Sequence, residues 1–199
     1  MTMSEDFALR LCQSFKACAV DAPSLLKQVH TNVQKMLKDR GYQLHFVAPV
    51  PDLFDLMQKD VATVTGSHAH KGSVCVFYHT MERIGVCALR SLINKSSADH
   101  TIILSVDGPT NFTRKESEGS NVQYFTFKDM AVCRVEHRLV PSHILVDADA
   151  HPEKEHYPKL LLNDPICQYY NFQAGSVVQI DRTAGHSEIY RTFRVVTAS

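Results

Sequence analysis

The sequence predicts a mixed α/β domain over residues 1–136, followed by a small α+β domain over residues 137–199. Three observations predict this class. An amphipathic helical stretch precedes two nearly continuous β-branched runs, an apolar segment of helical length joins those runs, and helical patterns become scarce after His137. Strands that are apolar on both faces and joined through a helix are typical of parallel sheets covered by helices.

The segment from Asp21 to Gly41 predicts the longest helix of the first domain. Its apolar side chains recur at helical spacing and form one stripe: Leu25, Leu26, Val29, Val33, Met36 and Leu37. Asp21 or Ser24 can cap the start, Pro23 suits a first turn, and Gly41 follows basic residues as a stop signal. Shorter helices are predicted around Phe7–Cys18 and over Asp52–Lys59.

A strand–helix–strand unit is predicted after a flexible loop at Gly66–Gly72. Val74–Tyr78 and Thr101–Val106 are rich in β-branched and apolar residues, which favours strands that are covered on both faces. Val86–Asn94 lies between them and is apolar enough to be the crossover helix that parallel strands require.

The remainder of the first domain is predicted to be a turn, an exposed segment and further strand. Asp107–Asn111 carries turn residues, and Arg114–Asn121 is polar. Gln123–Val135 alternates enough to predict one or two more strands.

The second domain is predicted to be rich in strands. Asp164–Tyr170 fits a short helix that is capped by an aspartate and begins at a proline. Residues 177–180 and 189–196 then predict two antiparallel strands.

Charge and hydropathy restrict the function classes. The 199 residues hold 21 basic and 21 acidic side chains, so the formal net charge is zero. Proteins that bind nucleic acid on their own usually carry more basic than acidic side chains, because neutralising the phosphates supplies much of their affinity. Any contact with nucleic acid is therefore expected to be local or assisted by partner chains. No run approaches the roughly 20 apolar residues that span a bilayer, so no membrane association is expected.

Catalytic and metal-binding patterns are weak. A metal-dependent nuclease built on Asp52 is one hypothesis, but none of the 21 acids has a lysine two positions later to stabilise charge. His68 and His70 could hold a divalent metal, although a solvated loop is the better interpretation. The six cysteines form no C-x-x-C pair. We expect no catalytic residue, no metal and no cofactor.

Hydroxyl and cationic residues gather near the predicted turn. Thr110, Thr113, Arg114 and Lys115 are of the types that contact DNA phosphates. The same residues suit an ordinary hydrated surface, and their pattern leaves both interpretations open.

The motif His137-Arg138-Leu139-Val140-Pro141-Ser142-His143 raises the question of a metal pair, an acid/base pair or architecture. It resembles the His-x-Leu-Val-Pro-x-His motif of the fifth shared subunit of eukaryotic RNA polymerases I, II and III, a family that also has an archaeal counterpart. Further matching segments follow in the family's order: Tyr157–Leu160, Asp164–Ile166, Tyr169–Tyr170, Gly175–Arg182 and Tyr190–Val195. The amino-terminal half is similar more weakly but in register, which indicates the eukaryotic form.

The resemblance implies a nuclease-like jaw domain without catalytic residues, followed by an assembly domain. In that family the assembly domain docks on the largest polymerase subunit near the sixth shared subunit, and the jaw projects toward downstream duplex DNA. The resemblance also implies that the protein is located in the nucleus. Two alternatives stay open: a divergent paralogue dedicated to one polymerase, such as polymerase I, and an adaptor that works outside transcription.

Five residues are predicted to carry assembly. His137, Pro141 and His143 are expected to shape the entrance of the assembly domain, since proline fixes one φ angle and biases the preceding residue toward extended geometry. Arg182 and Arg194 are expected to contact partner subunits.

Overall fold

The chain folds as two units, Met1–Val132 and Cys133–Ser199, called here the first and second unit. The computed structural model describes residues 5–14, 22–80, 83–117, 119–183 and 189–198. The predicted domain boundary after residue 136 falls at the end of a short 3₁₀ helix, Arg134–Glu136, and stays a prediction. Among the described residues, no helix combines the length and apolar character needed to cross a bilayer.

The first unit is built on a five-stranded sheet with the order β1-β2-β3-β5-β7. Its strands are β1 (Gln43–Val47), β2 (Val64–His68), β3 (Gly72–Tyr78), β5 (His100–Ser105) and β7 (Val122–Thr126). β3, β5 and β7 are parallel, whereas β1 and β2 add as antiparallel strands. A separate parallel pair is formed by β4 (Arg83–Ile84) and β6 (Gly108–Pro109).

Six described α-helices accompany these strands. They are α1 (Glu5–Ser14), α2 (Ala22–Asp39), α3 (Leu53–Gln58), α4 (Val86–Lys95), α5 (Asn111–Glu116) and α6 (Phe127–Ala131). The predicted stripe of α2 is buried, as is every residue of β5. α4 is the predicted crossover between β3 and β5, and its Leu89 and Leu92 pack with Phe77 and Ile103 of those strands. The mixed α/β prediction is therefore confirmed at the level of these elements.

One prediction about the first unit is wrong, and another is only partly confirmed. Gly66–Gly72 is not a loop, because β2 continues to His68 and β3 begins at Gly72, leaving a turn of three residues. Of the one or two strands predicted in Gln123–Val135, one is confirmed as β7, but the residues after it form the helix α6 and not a second strand. Thr126 and Asp129 form a reciprocal capping box, which satisfies free backbone donors and starts the helix.

Some predicted features fall partly outside the described residues. The helix predicted to end at Cys18 is described as far as Ser14, and the candidate cap Asp21 is outside the described ranges. The predicted first-turn position of Pro23 is confirmed, since α2 begins at Ala22.

The second unit is a four-stranded sheet with the order β8-β10-β11-β9. Its strands are β8 (Ser142–Val146), β9 (Lys159–Leu161), β10 (Val177–Thr183) and β11 (Ile189–Thr197). The predicted helix is α7 (Pro165–Tyr170), which is capped by Asp164 as expected. Cys167 of α7 packs with Val178, Ile180 and Val196, so α7 covers one face of the sheet. The strand-rich α+β prediction agrees with these elements.

Candidate interaction surfaces

Both histidines of the His137–His143 motif are engaged with nearby backbone. The Leu139 amide donates to His137 Nδ1 across 3.3 Å. His143 Nδ1 lies 2.8 Å from the Pro141 carbonyl oxygen, which can only accept, so Nδ1 carries the proton. The motif is therefore a turn held by its own side chains, and β8 begins at its Ser142.

An open groove runs beside this turn. It has a volume of about 680 Å³ and is lined by residues 138–142 together with Asp181 and Arg182. Leu139 is exposed, and the Asp181 carboxylate is already paired with the Arg191 guanidinium at 2.9 Å. The groove thus presents apolar surface next to the Arg182 guanidinium.

The strand register brings three predicted assembly residues to one face of the sheet. His143 lies opposite Ile180, and Arg194 lies opposite Val178. Directly opposed residues share a face, and so do alternate residues along one strand. His143, Arg182 and Arg194 therefore lie on the face that α7 partly covers.

The electrostatics of His143 agree with this arrangement. Partial burial lowers the pKa of His143, and the nearby charges of Arg182 and Arg194 lower it further. The pKa is raised in part by the hydrogen bond to Pro141 and by the carboxylate of Asp164. This face offers cationic donors that suit carboxylate or carbonyl oxygens of another chain.

Two exposed apolar residues on the same face were not predicted. Leu145 lies opposite Val178, and Tyr190 lies opposite Arg182. Their exposed fractions are 56% and 64%. Leu145 is two positions from His143, and Tyr190 is four positions from Arg194. Because alternate residues of a strand share a face, this even spacing could have predicted both.

The other predicted surface is the α5 segment of the first unit. Thr110 caps α5, since its hydroxyl oxygen accepts from the Thr113 amide. Arg114 and Lys115 are exposed in the last turn. Thr113 has no exposed surface, and its hydroxyl donates to the Ile84 carbonyl across 2.7 Å. The structure therefore does not support Thr113 as a direct phosphate contact; it holds α5 onto β4.

An exposed aromatic residue in this segment was also missed. Phe112 is 78% exposed, although it lies beside the buried Thr113. The sequence carries a weak signal for it, because residues adjacent on a short helix face different directions.

The residues weighed for metal chemistry form no metal site among the described ranges. Asp52 is exposed at the start of α3. His68 Nδ1 accepts from the backbone amides of His70 and Lys71 at 3.0 and 3.2 Å. Within the described residues, no group of three or more ligating side chains is placed to hold a metal ion.

Comparison with known proteins gives matches to RNA polymerase subunits. Residues 133–196 match the family described as RNA polymerase Rpb5, C-terminal domain. DNA-directed RNA polymerases I, II, and III subunit rpabc1 of Dictyostelium discoideum is 24% identical, over 85% of this chain and 96% of its own length. DNA-directed RNA polymerase V subunit 5A of Arabidopsis thaliana is 25% identical, over 83% of this chain and 85% of its own.

An archaeal relative matches a shorter part of the chain at higher identity. DNA-directed RNA polymerase subunit Rpo5 of Methanothermobacter thermautotrophicus is 31% identical over 72 residues, which is 91% of its length and 31% of this chain. These two eukaryotic relatives cover 85% and 83% of the chain, whereas the archaeal protein covers about a third of it. By its matched family domain and its relatives, the chain belongs to the RNA polymerase Rpb5 family.

Proposed function

We propose that the chain is a non-catalytic subunit of a nuclear DNA-directed RNA polymerase. The second unit docks on the largest subunit near the sixth shared subunit. The first unit is a nuclease-like jaw that contributes to the grip on downstream duplex DNA. The observation that carries this proposal is the shared face of His143, Arg182 and Arg194, which lies within the matched residues 133–196.

The surface chemistry supports docking through the second unit. A face that combines cations with exposed Leu145 and Tyr190 has the composition of an interface, with apolar contacts and charged groups at its margin. The zero net charge is consistent with a subunit that relies on its neighbours for attraction to DNA.

The test is purification of the tagged full chain from its own cells, followed by identification of the proteins that co-elute. We expect the two largest polymerase subunits. A partner set lacking both would overturn the proposal and favour an adaptor outside transcription. Subunits specific to one polymerase in the same eluate would decide whether the chain is dedicated to that enzyme.

Removing the cations of the docking face is expected to weaken docking. The double substitution Arg182→Ala and Arg194→Ala should cost about 2 kcal/mol of association with the polymerase, because charged hydrogen-bond donors are lost. Quantitative pull-down of the largest subunit measures this loss. Lys159→Ala is the matched control: Lys159 is exposed and lies opposite Val195, on the other face of the same sheet. Equal retention of the polymerase by the double variant and the control would contradict the assignment.

Removing the cations of α5 is expected to weaken the grip on DNA. Arg114→Ala and Lys115→Ala should each cost about 1 kcal/mol or less, and the loss should shrink as salt rises. Binding of a downstream duplex by the assembled polymerase, measured at several salt concentrations, tests this. Lys27→Ala with Lys38→Ala removes two exposed charges from α2 and serves as the control. An unchanged affinity and salt slope for the α5 variant would count against the assignment.

A further inference from the structure

We propose that Phe112 is an apolar wedge that presses between base pairs of duplex DNA, while Arg114 and Lys115 hold the adjoining phosphates. This inference rests on the proposed function and adds a contact to the bases that the phosphate-binding residues alone do not provide.

The scaffold under Phe112 is anchored on its inner side. Thr113 is buried and donates to the Ile84 carbonyl, and the Thr110 amide donates to the same carbonyl across 3.1 Å. Ser117, four positions after Thr113, is also buried and therefore extends the inner face of the segment. Because this segment is firmly attached, the Phe112 side chain is held in one direction before it binds. Little conformational entropy is then lost on binding.

Phe112 lies on the outer side of this turn, next to cations. Lys115 follows three positions later and so shares its side of α5, and Arg114 is exposed beside it. Arg83 is exposed on β4, which pairs with β6 immediately before the α5 cap. The guanidinium of Arg90 is neutralised by Glu116 at 2.6 Å. Basic side chains thus flank the aromatic ring, which complements a polyanion.

The position in the sheet also favours a ligand surface. α5 follows the carboxyl end of β5, the central parallel strand of the first unit. In open α/β sheets, ligands are bound outside the carboxyl ends of the parallel strands. β4 and β6 form their small pair at this end, and Thr113 attaches α5 to it.

Duplex DNA fits this surface better than a protein partner does. The other exposed residues of α5 are polar or charged: Asn111, Arg114, Lys115 and Glu116. Protein interfaces have apolar cores depleted of charge, so a lone phenylalanine among charges is a poor core. A single apolar wedge between cations is, in contrast, a recurrent way of binding and kinking duplex DNA.

Two variants in the assembled polymerase, compared with the parent chain, test the wedge. Phe112→Ala should weaken binding of a downstream duplex by about tenfold, since it removes the inserted side chain. Phe112→Leu keeps an apolar wedge and should retain most of the affinity. A duplex carrying 2-aminopurine at successive downstream positions should brighten with the parent chain and the leucine variant, but not with alanine, because insertion unstacks the probe base.

The outcomes separate this inference from the proposed function. If Arg114→Ala with Lys115→Ala weakens binding while Phe112→Ala leaves affinity and probe fluorescence unchanged, the wedge is overturned and the polymerase assignment stands. If the chain does not assemble with the polymerase, the proposed function itself fails.

A photo-crosslinking residue at position 112 of the full chain, within the polymerase, gives an independent result. Crosslinks to downstream DNA support the wedge. Crosslinks only to another protein chain, or none at all, overturn it.

Discussion

Phe127→Ala is expected to lower the stability of the first unit by about 3–5 kcal/mol, the range for removing a buried aromatic side chain. Phe127 is 0% exposed, and its ring meets Phe7 and Tyr78 edge-on at centroid distances of 6.0 and 5.8 Å. The substitution leaves a cavity between α6 and the rings of Phe7 and Tyr78. α6 is also attached to α2, because the Asn32 side chain donates to the Met130 carbonyl across 2.7 Å.

Hydrogen exchange read by mass spectrometry measures this effect separately in each unit. Peptides of β5 and α2 should lose protection, while peptides of β10 and β11 should keep theirs, because the second unit has its own core around Val178 and Ile180. Phe112→Ala is the matched control. It deletes the same side chain from an exposed position and should change stability by no more than about 0.5 kcal/mol. Similar losses from the two substitutions would contradict this account of the core.

Acidification from pH 6.5 to pH 4 is expected to remove about 3 kcal/mol of stability from the first unit through His100 alone. His100 is 3% exposed. Burial, reinforced by the charges of Arg40 and Lys71, lowers its pKa from 6.5 to about 4. Between pH 6.5 and pH 4, His100 is protonated in the unfolded chain but neutral in the folded chain. Stability is therefore complete above pH 6.5 and falls until the folded pKa is reached.

His30 adds to the same trend. Its Nε2 lies 3.0 Å from the Ala48 carbonyl and must carry the proton, so Nδ1 accepts from the Tyr78 hydroxyl at 2.9 Å. Burial lowers the pKa of His30. A second proton, on Nδ1, would remove the acceptor that the buried Tyr78 hydroxyl hydrogen now uses. Acid therefore destabilises the first unit by protonating two buried histidines, His30 and His100.

The free energy of unfolding, measured in denaturant at pH values from 7.5 to 4, tests this prediction. His100→Leu should flatten the pH dependence, since it removes the buried group that titrates between these pH values. His45→Leu, which replaces an exposed histidine of β1, is the control and should retain the slope of the parent chain. If His100→Leu and the parent chain lose stability in parallel, buried His100 is not the group responsible.

The main elements of both units follow from local pattern. α2 could be predicted because its apolar stripe has helical period, and β5 because β-branched residues covered on both faces favour a strand. The missed helix α6 shows where pattern is insufficient. Residues 123–135 alternate like a strand, but the Thr126–Asp129 capping box decides the outcome through two specific hydrogen bonds.

The candidate surfaces were harder to predict than the elements that carry them. Thr113 and Arg114 are adjacent polar residues of α5, yet Thr113 is buried and Arg114 is exposed. That difference depends on the Ile84 carbonyl, which lies 29 positions away in the chain and accepts from the Thr113 hydroxyl. The residues around Thr113 do not indicate this distant partner. Residue type alone therefore could not distinguish a residue that anchors α5 from one that contacts a ligand at the surface.

Motifs and periodicity within short segments were enough to predict the family, the order of most helices and strands, and the residues available for contact. The common face of His143, Arg182 and Arg194 exists only in the folded chain, because the three residues lie on three strands whose register is set by backbone pairing. The tertiary structure likewise decided that Thr113 points inward while Phe112 is exposed to solvent. Strand register and burial both depend on packing between distant segments, so short stretches of sequence do not specify them.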